Sequence, residues 1–98
     1  MSLQIDFRLP ESDSLKAKRK VIRSLRDRIR ARYPVAVAEV GSQDLRARAE
    51  LGVAAVGAEG GKLTTVLDAI VRLVESEPGV LVVSMDRQDH GTGEYGQW

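Results

Sequence analysis

Along this 98-residue chain, the spacing of the apolar residues alternates between a period of two, typical of strands, and a period near 3.6, typical of helices. The order in which these segments follow one another restricts the fold more than any other feature. Two segments, residues 15–32 and 63–74, carry apolar side chains at helical spacing. Four segments alternate apolar with polar residues or form short apolar runs, as strands do: residues 3–9, 35–40, 49–56 and 80–85. The order is therefore β-α-β-β-α-β. Two such β-α-β halves predict an α+β, ferredoxin-like domain, with a four-stranded antiparallel sheet and both helices on one face.

Composition agrees with one small folded domain, predicted to span residues 1–86 and to be followed by a glycine-rich polar tail at 87–98. The chain is 43% hydrophobic and 30% charged, as in soluble folded proteins. No apolar run is long enough to span a bilayer, and the N-terminus lacks the pattern of a signal peptide. We therefore expect a cytoplasmic protein with no membrane partner. The lack of asparagine and the excess of arginine over lysine fit either a thermophilic source or a GC-rich genome.

The residue types that most catalytic and metal sites need are scarce. The chain has no cysteine and one histidine, His90 in the tail, so it offers no thiolate nucleophile and no multi-histidine metal site. It also lacks a P-loop and a glycine-rich anion loop after the first strand, where LPESDS stands. The sequence thus predicts no enzyme activity, no metal and no cofactor.

The first helical segment is strongly basic. Residues 14–32 contain nine basic residues and one acid, Asp27, which gives +8, whereas the rest of the chain sums to −7. On a helical wheel, six cations gather opposite the apolar stripe: Lys16, Arg19, Lys20, Arg23, Arg26 and Arg30. We call these six residues the basic ridge. They are candidates for contact with nucleic-acid phosphates; the alternative is an ordinary solvated face, although such faces usually mix both signs of charge.

One cation breaks the apolar stripe of this helix. Lys18 falls among Leu15, Ile22, Leu25 and Ile29, so it requires a partner in the core or must extend to solvent. Alternation in the second strand places Glu39 on the face that the helices cover, at the same end of the sheet. The sequence therefore predicts a polar cluster there: Lys18, Glu39, Gln43, Asp44 and Arg48. The cluster is either a structural ion pair that closes the core or an anion pocket at a helix N-terminus.

The sheet face that points away from the helices is predicted to be small and aliphatic. Its residues are Gln4, Asp6, Arg8, Ala36, Ala38, Val40, Gly52, Ala54, Val56, Val80, Val82 and Ser84. Because it carries no aromatic residue, it does not suit the base stacking of RNA-recognition motifs. A sheet-to-sheet homodimer is favoured instead, through Ala36, Ala38, Ala54, Val56 and Val82. The alternative is that the tail covers this face with Tyr95 and Trp98.

Two motifs resemble the YlxP-like family of small bacterial proteins, a domain of unknown function. They are LPES-x-SLK-x-KR at Leu9–Arg19 and AEVG-x-QDL…RAELG at Ala38–Gly52, and the resemblance covers roughly residues 3–86. Ala17 departs from the pattern, because relatives often have glutamate there, which would complete a capping box with Ser14. The resemblance implies a ferredoxin-like fold and no established activity. The genes of the family often lie near translation-initiation and ribosome-maturation genes, which points towards RNA or the ribosome.

Two hypotheses about function follow from these patterns. In the first, the chain is an accessory protein that binds RNA or the ribosome through the basic ridge. In the second, it is a homodimeric interaction or regulatory module without a nucleic-acid role. Salt distinguishes them, because phosphate contacts weaken steeply with salt and apolar sheet packing does not.

Overall fold

A computed structural model describes residues 1–89 of the chain. Its elements are β1 (Ser2–Arg8), α1 (Leu15–Arg32), β2 (Val35–Gly41), β3 (Arg48–Ala55), α2 (Gly60–Glu75) and β4 (Leu81–Gln88). The strands form one antiparallel sheet in the order β2-β3-β1-β4. This confirms the predicted ferredoxin-like α+β fold.

The core lies between the helices and one face of the sheet. Central strands β1 and β3 contribute alternate residues that are almost fully buried, including Ile5, Phe7 and Leu51. The helices add Leu25 and Ile29 from α1 and, from α2, Leu67 and Ile70 among others. Since β1 and β3 bury every second residue, their other side chains lie on the opposite face of the sheet, which is left open to solvent.

The strand β4 differs from its prediction in two ways. It runs from Leu81 to Gln88, whereas the sequence predicted a strand over residues 80–85, and it pairs Arg87 with Leu3 and Gln88 with Ser2. The register also shifts: Ser84 pairs with Asp6 but Val82 pairs with Phe7, which leaves Val83 as an extra residue in a β-bulge.

The bulge reverses the alternation of β4 and corrects the predicted open face. Val80 is buried in the core, and Val82 is half-buried and packs against it, so assigning both to the open face was wrong. Val82 is therefore not a dimer-face residue. Leu81, which pairs with Arg8, lies on the open face instead and is 59% exposed.

Candidate nucleic-acid interface

The helix α1 begins and ends where its local sequence requires. Ser14 is the N-cap, and its hydroxyl accepts a hydrogen bond from the Ala17 amide at 3.0 Å. Ala17 cannot return a side-chain hydrogen bond, so only half of a capping box forms. The helix ends at Arg32, before Tyr33-Pro34, because the residue that precedes a proline avoids the helical region. Its apolar stripe fixes its rotation about its own axis, and this decides which flank meets solvent.

The basic ridge lies on the solvent side of α1. Five of its members are exposed: Lys16, Arg19, Lys20, Arg23 and Arg30. Arg26 is half-buried and pairs with Asp27, with 3.4 Å between Nε and Oδ1. Within residues 1–89, none of the five exposed cations forms an ion pair. The helix therefore presents five uncompensated charges, and at a rise of 1.5 Å per residue the ridge is about 21 Å long.

The N-terminal half of the ridge borders an open hollow. Its lining residues are Ser14, Lys16, Ala17, Arg19, Lys20 and Arg23. Four of these six side chains are cationic and none is acidic, so the hollow attracts anionic groups. The small side chain of Ala17 leaves space between the longer basic chains.

A second set of arginines, Arg28, Arg32 and Arg72, lies off the basic ridge, on the side of α1 near α2. The Arg28 guanidinium donates to the Glu77 carboxylate, which ties α1 to the segment after α2. Arg32 and Arg72 line the same small cavity, near the C-terminal ends of the two helices. Arg32 and Arg72 are exposed and lie in the last turns of α1 and α2, where a cation offsets part of the negative charge of the last carbonyls. Arg23 lies about 140° around α1 from Arg28, so the two sets occupy different flanks.

Lys18 and Glu39 form the ion pair predicted at the end of the core. The distance from Lys18 Nζ to Glu39 Oε2 is 2.9 Å, and the lysine side chain has no exposed surface while that of Glu39 is 18% exposed. Lys18 Nζ also donates to the backbone oxygens of Ser42 and Gln43. Lys18 Nζ therefore has one charged neighbour and two carbonyl acceptors.

The surrounding loop holds this arrangement in place. Ser42 has a positive φ of 57°, which turns its carbonyl towards Lys18, and the same carbonyl accepts from the Leu45 amide. The Gln43 side chain donates to the backbone oxygen of Glu39 at 3.2 Å, and the Ser42 hydroxyl donates to Glu50 at 3.1 Å. Sequence reasoning missed the roles of Ser42 and Glu50, because they depend on a turn and a cross-strand register rather than on spacing.

Two members of the predicted polar cluster do not join it. Asp44 and Arg48 are both exposed, and within the described residues neither forms a hydrogen bond or an ion pair with Lys18 or Glu39. Lys18 is already paired with Glu39 and has no surface that an anion can reach. The geometry thus favours the structural ion pair over the anion pocket.

The open face of the sheet contains a shallow apolar hollow. Ala36, Ala38, Gly52 and Ala54 form much of its lining, and its volume is about 430 Å³. Val40 is an extra residue in a β2 bulge and leans over Gly52, where an added Cβ would stand 2.8 Å from Val40 Cγ1. A side chain at position 52 would therefore displace Val40.

Charged residues lie at both ends of this open face. Arg8 pairs with Arg48 at one end, and Asp86 pairs with Gln4 towards the other.

Large apolar side chains are also exposed: Val40 is 54% exposed, and Val56, one residue beyond β3, is 93% exposed. Four of the five predicted dimer-face residues thus remain available at the surface, namely Ala36, Ala38, Ala54 and Val56. Tyr95 and Trp98, which were predicted as an alternative cover, lie outside the described residues.

Residues 1–89 contain neither a candidate metal site nor a helix that could span a membrane. No group of three or more histidine, cysteine or acidic residues there could hold a metal ion. No described helix is both long and apolar enough to cross a membrane.

Comparison with known proteins gives a family without a known activity. A family model described as "Protein of unknown function (DUF503)" matches residues 1–87, which end one residue before the end of β4. The chain is also similar to the "Uncharacterized protein YlxP" of Bacillus subtilis (strain 168). The two sequences are 29% identical over 70 residues, which is 71% of this chain and 76% of that relative.

Proposed function

Because the chain belongs to DUF503, the YlxP-like family of unknown function, we propose its function from its own surface: it binds RNA, alone or within the ribosome, along the basic ridge of α1. The observation that carries this proposal is the set of five exposed ridge cations without an acidic partner in residues 1–89. Burial supports the same flank, because the apolar side of α1 is occupied by the core and cannot bind anything else.

The role proposed is that of a non-enzymatic accessory protein. Phosphate contacts by lysine and arginine give affinity and orientation without chemistry. The charge difference between α1 and the rest of the chain would orient the domain as it approaches a polyanion. This role places the chain in the cytoplasm, where RNA and ribosomes are.

Salt dependence tests this proposal on the purified chain. Each phosphate that a cation neutralises releases a counterion, so five contacts predict a slope of about −4 in a plot of log K against log salt concentration. The measurement is fluorescence anisotropy of a labelled ribosomal RNA fragment between 50 and 300 mM salt. A slope near zero, or no binding at 50 mM salt, would contradict the proposal.

A second function is supported by the open sheet face, which fits another copy of the same chain. Its hollow of alanine and glycine permits close approach of a second sheet. If the two copies are related by a twofold axis perpendicular to the strands, the Arg8 and Arg48 end of one lies over the Asp86 end of the other. This charge match favours a homodimer in that orientation.

The dimer predicts a specific sensitivity to one substitution. Ala54→Glu places a carboxylate within the apolar hollow, so we expect it to convert the dimer to a monomer, whereas Thr65→Glu on the exposed side of α2 should not. Analytical ultracentrifugation at 50 and 500 mM salt measures this, and the wild-type dimer should persist at the higher salt. A wild-type monomer at 100 μM would refute the homodimer.

A further inference from the structure

We propose that the ligand of the basic ridge is base-paired RNA, held through its phosphates alone, rather than single-stranded RNA. This rests on the proposed RNA-binding function and specifies its substrate class. Three features carry the inference: which side chains are missing beside the ridge, how rigid the ridge is, and what the open sheet face lacks.

The first feature is the lack of a stacking surface within the described residues. The aromatic side chains of residues 1–89 are Phe7, which is 1% exposed, and Tyr33, which packs against the core. Neither lies on the basic ridge. Proteins that hold single strands stack successive bases on aromatic rings, each stack contributing about 1–3 kcal/mol. No aromatic ring among the described residues gives the ridge such a contribution, so unpaired bases gain little by stacking there.

The second feature is the rigidity of the ridge. Its five exposed cations stand on one 18-residue helix that is docked on the sheet through Ile22, Leu25 and Ile29. Their backbone positions are therefore fixed over about 21 Å. A duplex also has its phosphates in a fixed array: double-stranded DNA carries about one per 1.7 Å of axis, or roughly twelve within that length, and an A-form RNA duplex is at least as dense. A single strand would lose conformational entropy in matching the ridge, without stacking to offset the loss.

The third feature is the open sheet face, where domains of this architecture bind single-stranded RNA. In this chain the central strands present Gln4, Asp6, Gly52 and Ala54 on that face. Asp6 and Glu50 are cross-strand neighbours there, and their negative charges offset those of Arg8 and Arg48, which form the next cross-strand pair on this face. Within residues 1–89 the open face thus has no aromatic ring and no net positive charge to hold a single strand, whereas α1 carries the five unpaired cations of the basic ridge.

The test compares three labelled ligands of one sequence: a 20-base-pair RNA duplex, one of its strands chosen to lack self-structure, and the matching DNA duplex. At 100 mM salt we expect the RNA duplex to bind at least about tenfold more tightly than the single strand. Equal or tighter binding of the single strand would overturn the inference. Tighter binding of the DNA duplex than of the RNA duplex would overturn the assignment to RNA.

Two variants separate this inference from the function on which it rests. The first variant is Arg19→Glu/Lys20→Glu/Arg23→Glu, which should bind neither RNA form. If it binds neither form but wild type binds the duplex and the single strand equally, the proposed function stands and the duplex preference falls. If binding survives in that variant, the proposed function itself falls. Tyr95→Ala/Trp98→Ala in the full chain should leave duplex affinity within about twofold of wild type, because phosphate contacts need no aromatic ring. A larger loss would contradict binding through phosphates alone.

Discussion

Charge reversal of Arg19, Lys20 and Arg23 to glutamate is expected to abolish RNA binding while the domain stays folded. The three side chains are exposed and form no ion pair within residues 1–89, so each change should alter stability by about 0.5 kcal/mol or less. The same changes replace three of the five exposed ridge cations with anions. Since attraction to phosphates becomes repulsion, we expect affinity at 100 mM salt to fall at least about a hundredfold.

A matched control variant distinguishes loss of the ridge cations from a general effect of lower net charge. Arg32→Glu/Lys62→Glu/Arg72→Glu lowers the net charge from +1 to −5, as the ridge variant does. All three control residues are exposed and lie off the basic ridge, and Arg32 and Arg72 line the cavity near the C-terminal ends of the two helices. We expect the control to weaken binding less than tenfold. Equal losses in the two variants would show that only overall charge matters, and circular dichroism verifies that both variants fold.

Removal of the Glu39 carboxylate is expected to have the largest effect on stability. Glu39→Ala leaves the fully buried Lys18 ammonium without its counterion, and breaking a buried pair from one side costs about 3–5 kcal/mol. We expect the lower part of this range, because Lys18 keeps its hydrogen bonds to the Ser42 and Gln43 carbonyls. Urea unfolding followed by circular dichroism measures the free energy of unfolding.

Two further variants define what the loss in Glu39→Ala means. Glu59→Ala breaks the exposed pair with Lys62 and should cost less than about 1 kcal/mol. The double variant Lys18→Met/Glu39→Leu removes both charges and should recover most of the stability, since apolar replacements of a buried pair are often neutral. A Glu39→Ala variant as stable as Glu59→Ala would show that Lys18 does not depend on Glu39.

The order of elements and the closing ion pair were predictable because both follow from short-range patterns. Alternation placed Glu39 on the covered face, helical spacing placed Lys18 on the core side, and the fold brings these two ends together. The same wheel separated the basic ridge from the apolar stripe of α1. Each of these inferences needs only the period of one element and the topology of the sheet.

The errors arose where backbone geometry departs from a regular period. The bulge at Val83 moved Val82 from the open face to the core side, and no residue in VLVVSM signals an extra residue. Arg87 reads as tail by composition, yet it pairs with Leu3 and its guanidinium reaches Asp68 on α2 at 2.8 Å. Such features depend on the partner strand or helix, so the local sequence does not reveal them.

The central claim is that the flank of α1 that carries the basic ridge binds RNA in the cell. Co-sedimentation with ribosomes from a bacterial lysate at 50 and 300 mM salt tests it most directly, with wild type, the ridge variant and the matched control side by side. We predict that wild type and the control pellet with ribosomes at 50 mM salt and are released at 300 mM, while the ridge variant stays in the supernatant at both. Wild type that stays in the supernatant at 50 mM salt, or a ridge variant that pellets as wild type does, would contradict the claim.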